Sequence, residues 1–152
     1  MIQRIQSLFL LIVVLLMGAL CFVPFASFLH EGEIFRQTVW GISSTGENAE
    51  MVVKTIPMGI LVVLATLLPL VTIFLYKKRE LQMRLCVVEL VLLLGVVIYM
   101  AMYLFRSGSD ISDKIAFSIV DLFPLIAMIL TWMAFRRIMK DEILIKSLNR
   151  IR

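Results

Sequence analysis

Four long apolar runs dominate the pattern of hydrophobic and polar positions along the chain. They cover residues 7–28, 58–76, 85–105 and 115–135, and charged side chains interrupt them only at Glu89 and Asp121. A helix rising about 1.5 Å per residue crosses about 30 Å of hydrocarbon within such a length. Backbone groups in lipid must be hydrogen-bonded within their own segment, so helices are expected. The pattern predicts an all-α membrane protein, a bundle of four transmembrane helices forming one membrane domain over residues 1–152.

Composition supports the membrane prediction. Of the 152 residues, 61% are hydrophobic and 17% are charged, and the mean hydropathy is +1.00. Soluble domains are about 45–50% apolar and about 25% charged. A soluble core of this size cannot bury so many apolar side chains, and disordered chains are far more polar. An ordinary soluble domain and a disordered chain are therefore both excluded.

Two segments outside the apolar runs are long enough to hold structure. The loop 29–57 has β-forming residues at 33–42 and 50–56 with turn residues between them, which predicts a small extracytoplasmic β-hairpin. Trp40 is expected either to anchor this hairpin or to lie at the membrane interface. The hairpin either caps the helices or forms a binding surface. The tail 136–152 predicts an amphipathic C-terminal helix that lies on lipid or docks a cytoplasmic partner.

The distribution of lysine and arginine predicts the orientation. Eleven of the 15 basic residues lie at one end of the predicted bundle and four at the other. Cytoplasmic segments are the ones enriched in Lys and Arg, so both termini are expected in the cytoplasm. No nucleic-acid-reading motif accompanies the net charge of +4, and no nucleic-acid partner is expected. The basic residues that we select as cytoplasmic-face candidates are Arg4, Lys77, Lys78, Arg79, Arg84, Arg136 and Arg137.

Asp121 and Glu89 are the two intramembrane polar candidates. A carboxylate near the bilayer centre costs about 2.5–3.5 kcal/mol on insertion scales, so each invites a functional question. Glu89 is expected about one turn from the cytoplasmic end of its span, within reach of inner-face water, Arg136 or Arg137. Asp121 is expected about 9 Å from the outer end, beside a bend at Pro124. Either acid is a satisfied structural residue or a proton or ion site, and the two are too far apart to form a pair.

Catalytic signals are weak. The chain has one histidine, His30, and lacks HExxH, CxxC, phosphate-loop and nucleophile-elbow motifs. We therefore predict no catalytic residues, no metal site, no cofactor and no enzymatic activity. A lipid-modifying enzyme would need two polar groups at one depth, and the predicted depths of Asp121 and Glu89 do not provide them.

Three segments resemble a known family. They are the opening MIQRIQSLFLL, the middle segment YKKRELQMRLC at 76–86, and the close from AFRRIMKDE at 134–142 to Arg152. Together they resemble the bacterial domain of unknown function 4293, small four-span membrane proteins found chiefly in Bacteroidetes. The resemblance covers nearly the whole chain and implies a multi-pass protein of the bacterial inner membrane. It implies no catalytic or ligand-binding residue.

Two functions remain open from the sequence. The first is a non-enzymatic scaffold or accessory subunit of a membrane assembly, with the lipid bilayer and either a membrane-protein partner or further copies of the chain as its contacts. The alternative is a small proton- or ion-linked transporter or channel that uses Asp121.

Overall fold

Helices form most of the structure, a computed structural model that describes residues 2–30, 33–44, 51–75, 78–110 and 114–149. The four helices are α1 (Ile2–Leu20), α2 (Ile56–Phe74), α3 (Arg79–Asp110) and α4 (Phe123–Asn149). By length and composition, three stretches can cross a membrane: Ile56–Phe74, Arg79–Tyr103 and Ile119–Leu144. The apolar part of α1, Ile5–Leu20, is shorter. A fourth crossing by α1 therefore stays a prediction.

The first helix ends earlier than its apolar run. We predicted a span over 7–28, but α1 ends at Leu20 and residues Ala26–His30 form a strand, β1. Pro24 lies in the connection between them, not within a helix. A short apolar segment does not distinguish a strand from helix, so the run alone did not show this boundary.

A five-stranded antiparallel sheet replaces the predicted hairpin. After β1 come β2 (Glu33–Thr38), β3 (Gly41–Ser44), β4 (Met51–Lys54) and β5 (Lys114–Phe117), in the spatial order β4-β3-β2-β1-β5. The loop 29–57 was expected to hold two strands, at 33–42 and 50–56, but the first of these is divided by a turn into β2 and β3, which pair with each other, and the fold is not all-α. The last strand comes from a distant segment, and its residue Phe117 pairs with Ala26. The turn residues 45–50 lie outside the described residues.

The boundaries of the last two helices also differ from the prediction. The third helix continues to Asp110, so much of the expected loop 106–114 is helical. The fourth span was expected from residue 115, but this region forms β5 and a 3₁₀ turn, Ile119–Leu122, before α4 begins at Phe123. The tail is helical as predicted over its described part, as an unbroken continuation of α4 to Asn149.

The four helices pack as a square bundle. Helix α1 contacts α2 and α4, and α3 contacts the same two. The larger buried cluster includes Met17, Val62 and Leu93 together with sheet residues such as Val39. A smaller cluster of Leu10, Cys86, Ala134 and Ile138 fills the opposite half. The sheet therefore covers one end of the bundle, which we call the sheet end. The start of α1, the end of α2, the start of α3 and the end of α4 lie at the other end.

Trp40 attaches the sheet to the bundle, as one of our two interpretations proposed. Its indole Nε1 donates a hydrogen bond of 2.9 Å to the carbonyl oxygen of Cys21, just beyond α1. Its own carbonyl oxygen accepts a 2.9 Å bond from the N–H of Thr55, directly before α2. The ring packs so closely on Gly59 that a Cβ there would lie 2.8 Å from two ring carbons. The sheet is thus bound to the ends of two helices.

Candidate functional site

Asp121 lies at the start of a helix, as the third residue of the stretch Ile119–Leu144 that can cross a membrane. It belongs to the 3₁₀ turn that precedes α4, and its Oδ2 accepts a 3.1 Å hydrogen bond from the N–H of Ser118. The N–H of Asp121 in turn donates to the carbonyl oxygen of Ser118 at 3.0 Å. A carboxylate at this position satisfies an N–H that has no partner within the helix. Its second oxygen, Oδ1, is buried and has no hydrogen-bond partner among the described residues.

The expected bend at Pro124 is not present. Pro124 is the second residue of α4, where the missing N–H costs no helical hydrogen bond. Among the described residues, the proline inside a helix is Pro69 of α2. The residue that follows it by one turn, Thr72, donates from Oγ1 to the carbonyl oxygen of Leu68 at 2.8 Å. The bend that we predicted at Pro124 therefore has no geometric basis.

Glu89 is buried more deeply than the sequence indicated. Its side chain is 1% exposed, and neither carboxyl oxygen has a hydrogen-bond partner in the part of the chain that the structure describes. Helix α3 begins at Arg79, ten residues earlier, so Glu89 lies about 15 Å from that end and not one turn from it. The expected pairing with Arg136 or Arg137 is not formed. An ionised carboxylate without a partner is far more costly in such surroundings than an uncharged acid.

Glu89 belongs to a set of buried polar side chains contributed by all four helices. Gln6 of α1 donates from Nε2 to Oδ2 of Asp141 on α4 at 2.6 Å. Gln82 of α3 donates to the carbonyl oxygen of Thr72 on α2 at 3.4 Å. Thr131 of α4 donates to the carbonyl oxygen of Ala127 at 2.8 Å. We call this set the polar core, and its members are Gln6, Thr72, Gln82, Glu89 and Thr131.

Sequence reasoning selected only part of the polar core. Glu89 was selected, and Thr72 bonds to the backbone of its own helix. Gln6, Gln82 and Thr131 were not selected as intramembrane polar groups. One signal was available, because Gln82 and Glu89 are seven residues apart and therefore share a face of α3. The face that a helix turns inward depends on which helices pack against it, and the amino-acid sequence alone does not specify these neighbours.

The two acids lie at different levels of the bundle. Ala134 of α4 packs in the small cluster with Cys86, which is about one turn from Glu89 on α3. Ala134 follows the start of α4 at Phe123 by eleven residues, which is about 16 Å along the helix, and Asp121 lies before Phe123. The structure therefore does not bring the carboxyl groups of Asp121 and Glu89 together.

The cytoplasmic-face candidates gather at the end of the bundle opposite the sheet, which we call the basic end. Lys78 and Arg84 are exposed near the start of α3, where Arg79 is half-buried. On α4, Arg136 is exposed, and the guanidinium of half-buried Arg137 lies 5.4 Å from the centre of the Phe9 ring of α1. Lys77 lies outside the described residues. For Arg4 the structure describes the backbone, in α1, and not the side chain.

In the part of the chain that the structure describes, three helices are long and apolar enough to cross a membrane, which indicates a membrane protein. A comparison with protein families then matches residues 2–151 to the family described as Domain of unknown function (DUF4293). Because this match covers nearly the whole chain, the protein belongs to the DUF4293 family. The resemblance seen in the sequence is thereby confirmed. A search of the curated proteins finds no match.

Proposed function

We propose that this protein is a non-enzymatic accessory or scaffolding subunit of a membrane assembly, with its sheet as the surface that holds the partner. The observation that carries the proposal is the sheet itself. The sheet combines strands that precede α2 in the sequence with one strand that follows α3, and Trp40 ties the sheet to α1 and α2. A platform fixed in this way presents a constant surface, which is what a docking element requires.

The outer face and edges of the sheet are available for contact. Gln37 of β2 and Val39, which follows the strand, are buried toward the bundle. Ile34 of β2 is on the other side of the sheet and is 50% exposed. Strand β4 pairs with β3 and strand β5 with β1, so each has one edge without a strand partner in the described part of the chain. Unpaired edges readily accept a further strand from another protein.

Orientation is part of this proposal. With the positive-inside rule, the basic end faces the cytoplasm of a bacterial inner membrane and the sheet faces outward. We expect a cysteine introduced at Ile34 to react with a membrane-impermeant maleimide added to intact spheroplasts. A cysteine at Lys140 should react only after the membrane is opened. Labelling of the Lys140 position in intact spheroplasts would contradict this orientation.

Crosslinking in native membranes tests the docking function. A photo-reactive residue at Ile34 should form an adduct with one protein, recovered in stoichiometric amount with a tagged chain. The control position is Leu15 on α1, which is 64% exposed on the side of the bundle and should give no such adduct. Mass spectrometry of the adduct distinguishes a second copy of the chain from another protein. Recovery of the chain alone, with no adduct at Ile34, would contradict the proposal.

Glu89 favours a second candidate, a proton- or ion-linked transporter or channel. Our sequence hypothesis assigned this role to Asp121, but Asp121 caps a helix start, and among the described residues Glu89 is the buried acid whose two carboxyl oxygens have no hydrogen-bond partner. Intramembrane acids of this kind mark ion pathways in many transporters. In proteoliposomes carrying a pH-sensitive dye, we expect Glu89→Gln to abolish flux and Asp121→Asn to retain it. Absence of flux through the unmodified protein under both proton and cation gradients would exclude this candidate.

A further inference from the structure

A pocket of about 480 Å³ lies at the basic end of the bundle. It is lined by Met133, Arg136, Arg137, Lys140, Asp141 and Leu144, all from α4. We call it the headgroup pocket. Three of these six side chains are cationic. The single carboxylate, Asp141, accepts the 2.6 Å hydrogen bond from Gln6.

The cations of the headgroup pocket have little competition from protein groups. No carboxylate forms an ion pair with Arg136, Arg137 or Lys140 within the described residues. Arg137 is held over the Phe9 ring at 5.4 Å, so one guanidinium is already placed before a ligand arrives. Clustered guanidinium and ammonium groups suit a phosphate, which arginine binds through two parallel hydrogen bonds.

An apolar groove begins one residue further along α4, toward the middle of the bundle. It has a volume of about 510 Å³ and lies between α3 and α4. Its α4 side consists of Met128, Ile129 and Trp132, and Met133 of the headgroup pocket is the next residue. On α3 the groove is lined by Val87, Leu90, Val91 and Leu94.

One row of side chains along α4 includes members of both the pocket and the groove. Ile129, Met133, Arg136, Lys140 and Leu144 recur at intervals of three or four residues, which places them in one row along the helix. From Arg136 to Met128 the helix rises about 12 Å, within the half-thickness of about 15 Å of a bilayer core. The charge therefore lies at interface depth and the groove at the depth of an acyl chain.

We propose that this face of α4 binds one anionic phospholipid, with its phosphate headgroup between Arg136, Arg137 and Lys140 and an acyl chain in the groove. The chemistry of the two parts selects the occupant. Free phosphate has no apolar part that could fill the groove, and a neutral lipid has no net charge to match the three cations. Basic pockets at the ends of membrane helices bind anionic headgroups in this manner.

Native mass spectrometry of the full-length chain in detergent tests the proposal. The chain is titrated with phosphatidylglycerol, with phosphatidylcholine of the same acyl chains, and with inorganic phosphate. We expect phosphatidylglycerol to be retained and phosphatidylcholine to be lost at the same collision energy. Inorganic phosphate should not displace the lipid. Equal retention of both lipids, or displacement by phosphate, would overturn the proposal.

Matched variants separate this site from general attraction to anionic lipid. The double variant Arg136→Gln with Lys140→Gln removes two cations of the headgroup pocket, and Lys78→Gln with Arg84→Gln removes the same two residue types elsewhere at the basic end. All four side chains are exposed, so the fold should tolerate both pairs. With about a five-fold effect per cation, we expect the first pair to weaken phosphatidylglycerol binding about 25-fold. An equal loss in the control pair would overturn a specific site.

A third variant tests the groove. Leu94→Trp places a larger side chain in the groove while leaving every cation in place. It should accelerate loss of phosphatidylglycerol but leave the binding of glycerol 3-phosphate, which has no acyl chain, unchanged. Retention of the lipid at the level of the unmodified chain would refute the acyl-chain half of the proposal. Circular dichroism of each variant confirms that the helices remain folded.

Discussion

The contact between Trp40 and Gly59 gives the sharpest test of how the sheet is held. In Gly59→Ala, the new Cβ would lie 2.8 Å from both Cε3 and Cζ3 of Trp40 and 3.7 Å from Cδ2. The first two distances are too short for carbon atoms, so the ring must move. It is not free to do so, because its Nε1 is bonded to the carbonyl oxygen of Cys21.

The size of the effect follows from three contributions. Forced overpacking costs about 1–3 kcal/mol. Breaking the indole hydrogen bond costs about 1 kcal/mol more. Replacing glycine by alanine in a helix returns at most about 1 kcal/mol. We therefore expect Gly59→Ala to lower the free energy of unfolding by about 1–3 kcal/mol.

Gly95→Ala is the matched control. Its Cβ would lie 3.6 and 3.9 Å from the two Cδ atoms of Leu61, which is ordinary contact. Without a clash only the helix propensity changes, so this variant should be neutral or stabilised by up to about 1 kcal/mol. Two glycines in neighbouring helices are thus expected to respond to the same substitution with opposite signs.

Tryptophan fluorescence measures both stability and ring position. The chain has two tryptophans, so a Trp132→Phe background leaves Trp40 as the only one. Trp132 is 51% exposed, and its loss should be tolerated. Thermal unfolding in detergent, followed by Trp40 emission, should show a lower midpoint and a red shift for Gly59→Ala. Equal stability of the two alanine variants, with unchanged emission, would refute the assigned packing.

Three further substitutions test the polar groups. Glu89→Met should raise the free energy of unfolding by about 1–3 kcal/mol, because it removes a buried acid that has no hydrogen-bond partner among the described residues. The control Leu93→Ala should lower the free energy of unfolding by about 2–5 kcal/mol, which shows that denaturation in detergent reports on the core. A lower stability of Glu89→Met would mean that the carboxyl group is stabilised in the folded protein. Asp121→Ala should cost about 0.5–2 kcal/mol because the Ser118 N–H loses its side-chain acceptor and keeps only the 3.3 Å bond to the carbonyl oxygen of Phe25, whereas Asp121→Asn keeps an acceptor oxygen and should cost less. Equal losses in thermal unfolding would contradict the capping role. Gln6→Leu should cost about 1.5–3 kcal/mol because it leaves Asp141 without its donor, and a double-mutant cycle with Asp141→Leu that shows no coupling energy would rule out the bond.

The apolar runs predicted the helices well in their middle parts and poorly at their ends. Lengths and hydropathy identify α2, α3 and α4 because little else in a chain is apolar for so long. The apolar run 7–28 includes most of α1 and the first part of β1. The run 115–135 includes most of β5 and the first part of α4. Pairing between Ala26 and Phe117 joins residues far apart in sequence, and hydrophobic periodicity carries no information about such pairing.

The candidate residues were recognisable by chemistry, while their roles required the fold. A carboxyl group within an apolar run is conspicuous, so Glu89 and Asp121 were both selected. Asp121 was expected deeper in its span, but it is hydrogen-bonded at a helix start. Glu89 was expected near the end of its span, but it is buried, and its carboxyl oxygens have no hydrogen-bond partner among the described residues. The boundary of α4 and the inward face of α3 decide this difference. Both are consequences of packing among the four helices and the sheet.

Strand β5 has a consequence for how the chain matures during synthesis. It is the neighbour of β1, yet α2 and α3 lie between them in the sequence. The ribosome therefore synthesises β1 long before the segment that completes the sheet. One edge of β1 stays unpaired until residues 114–117 have been synthesised. A chaperone that binds the nascent chain would meet this incomplete sheet at that stage.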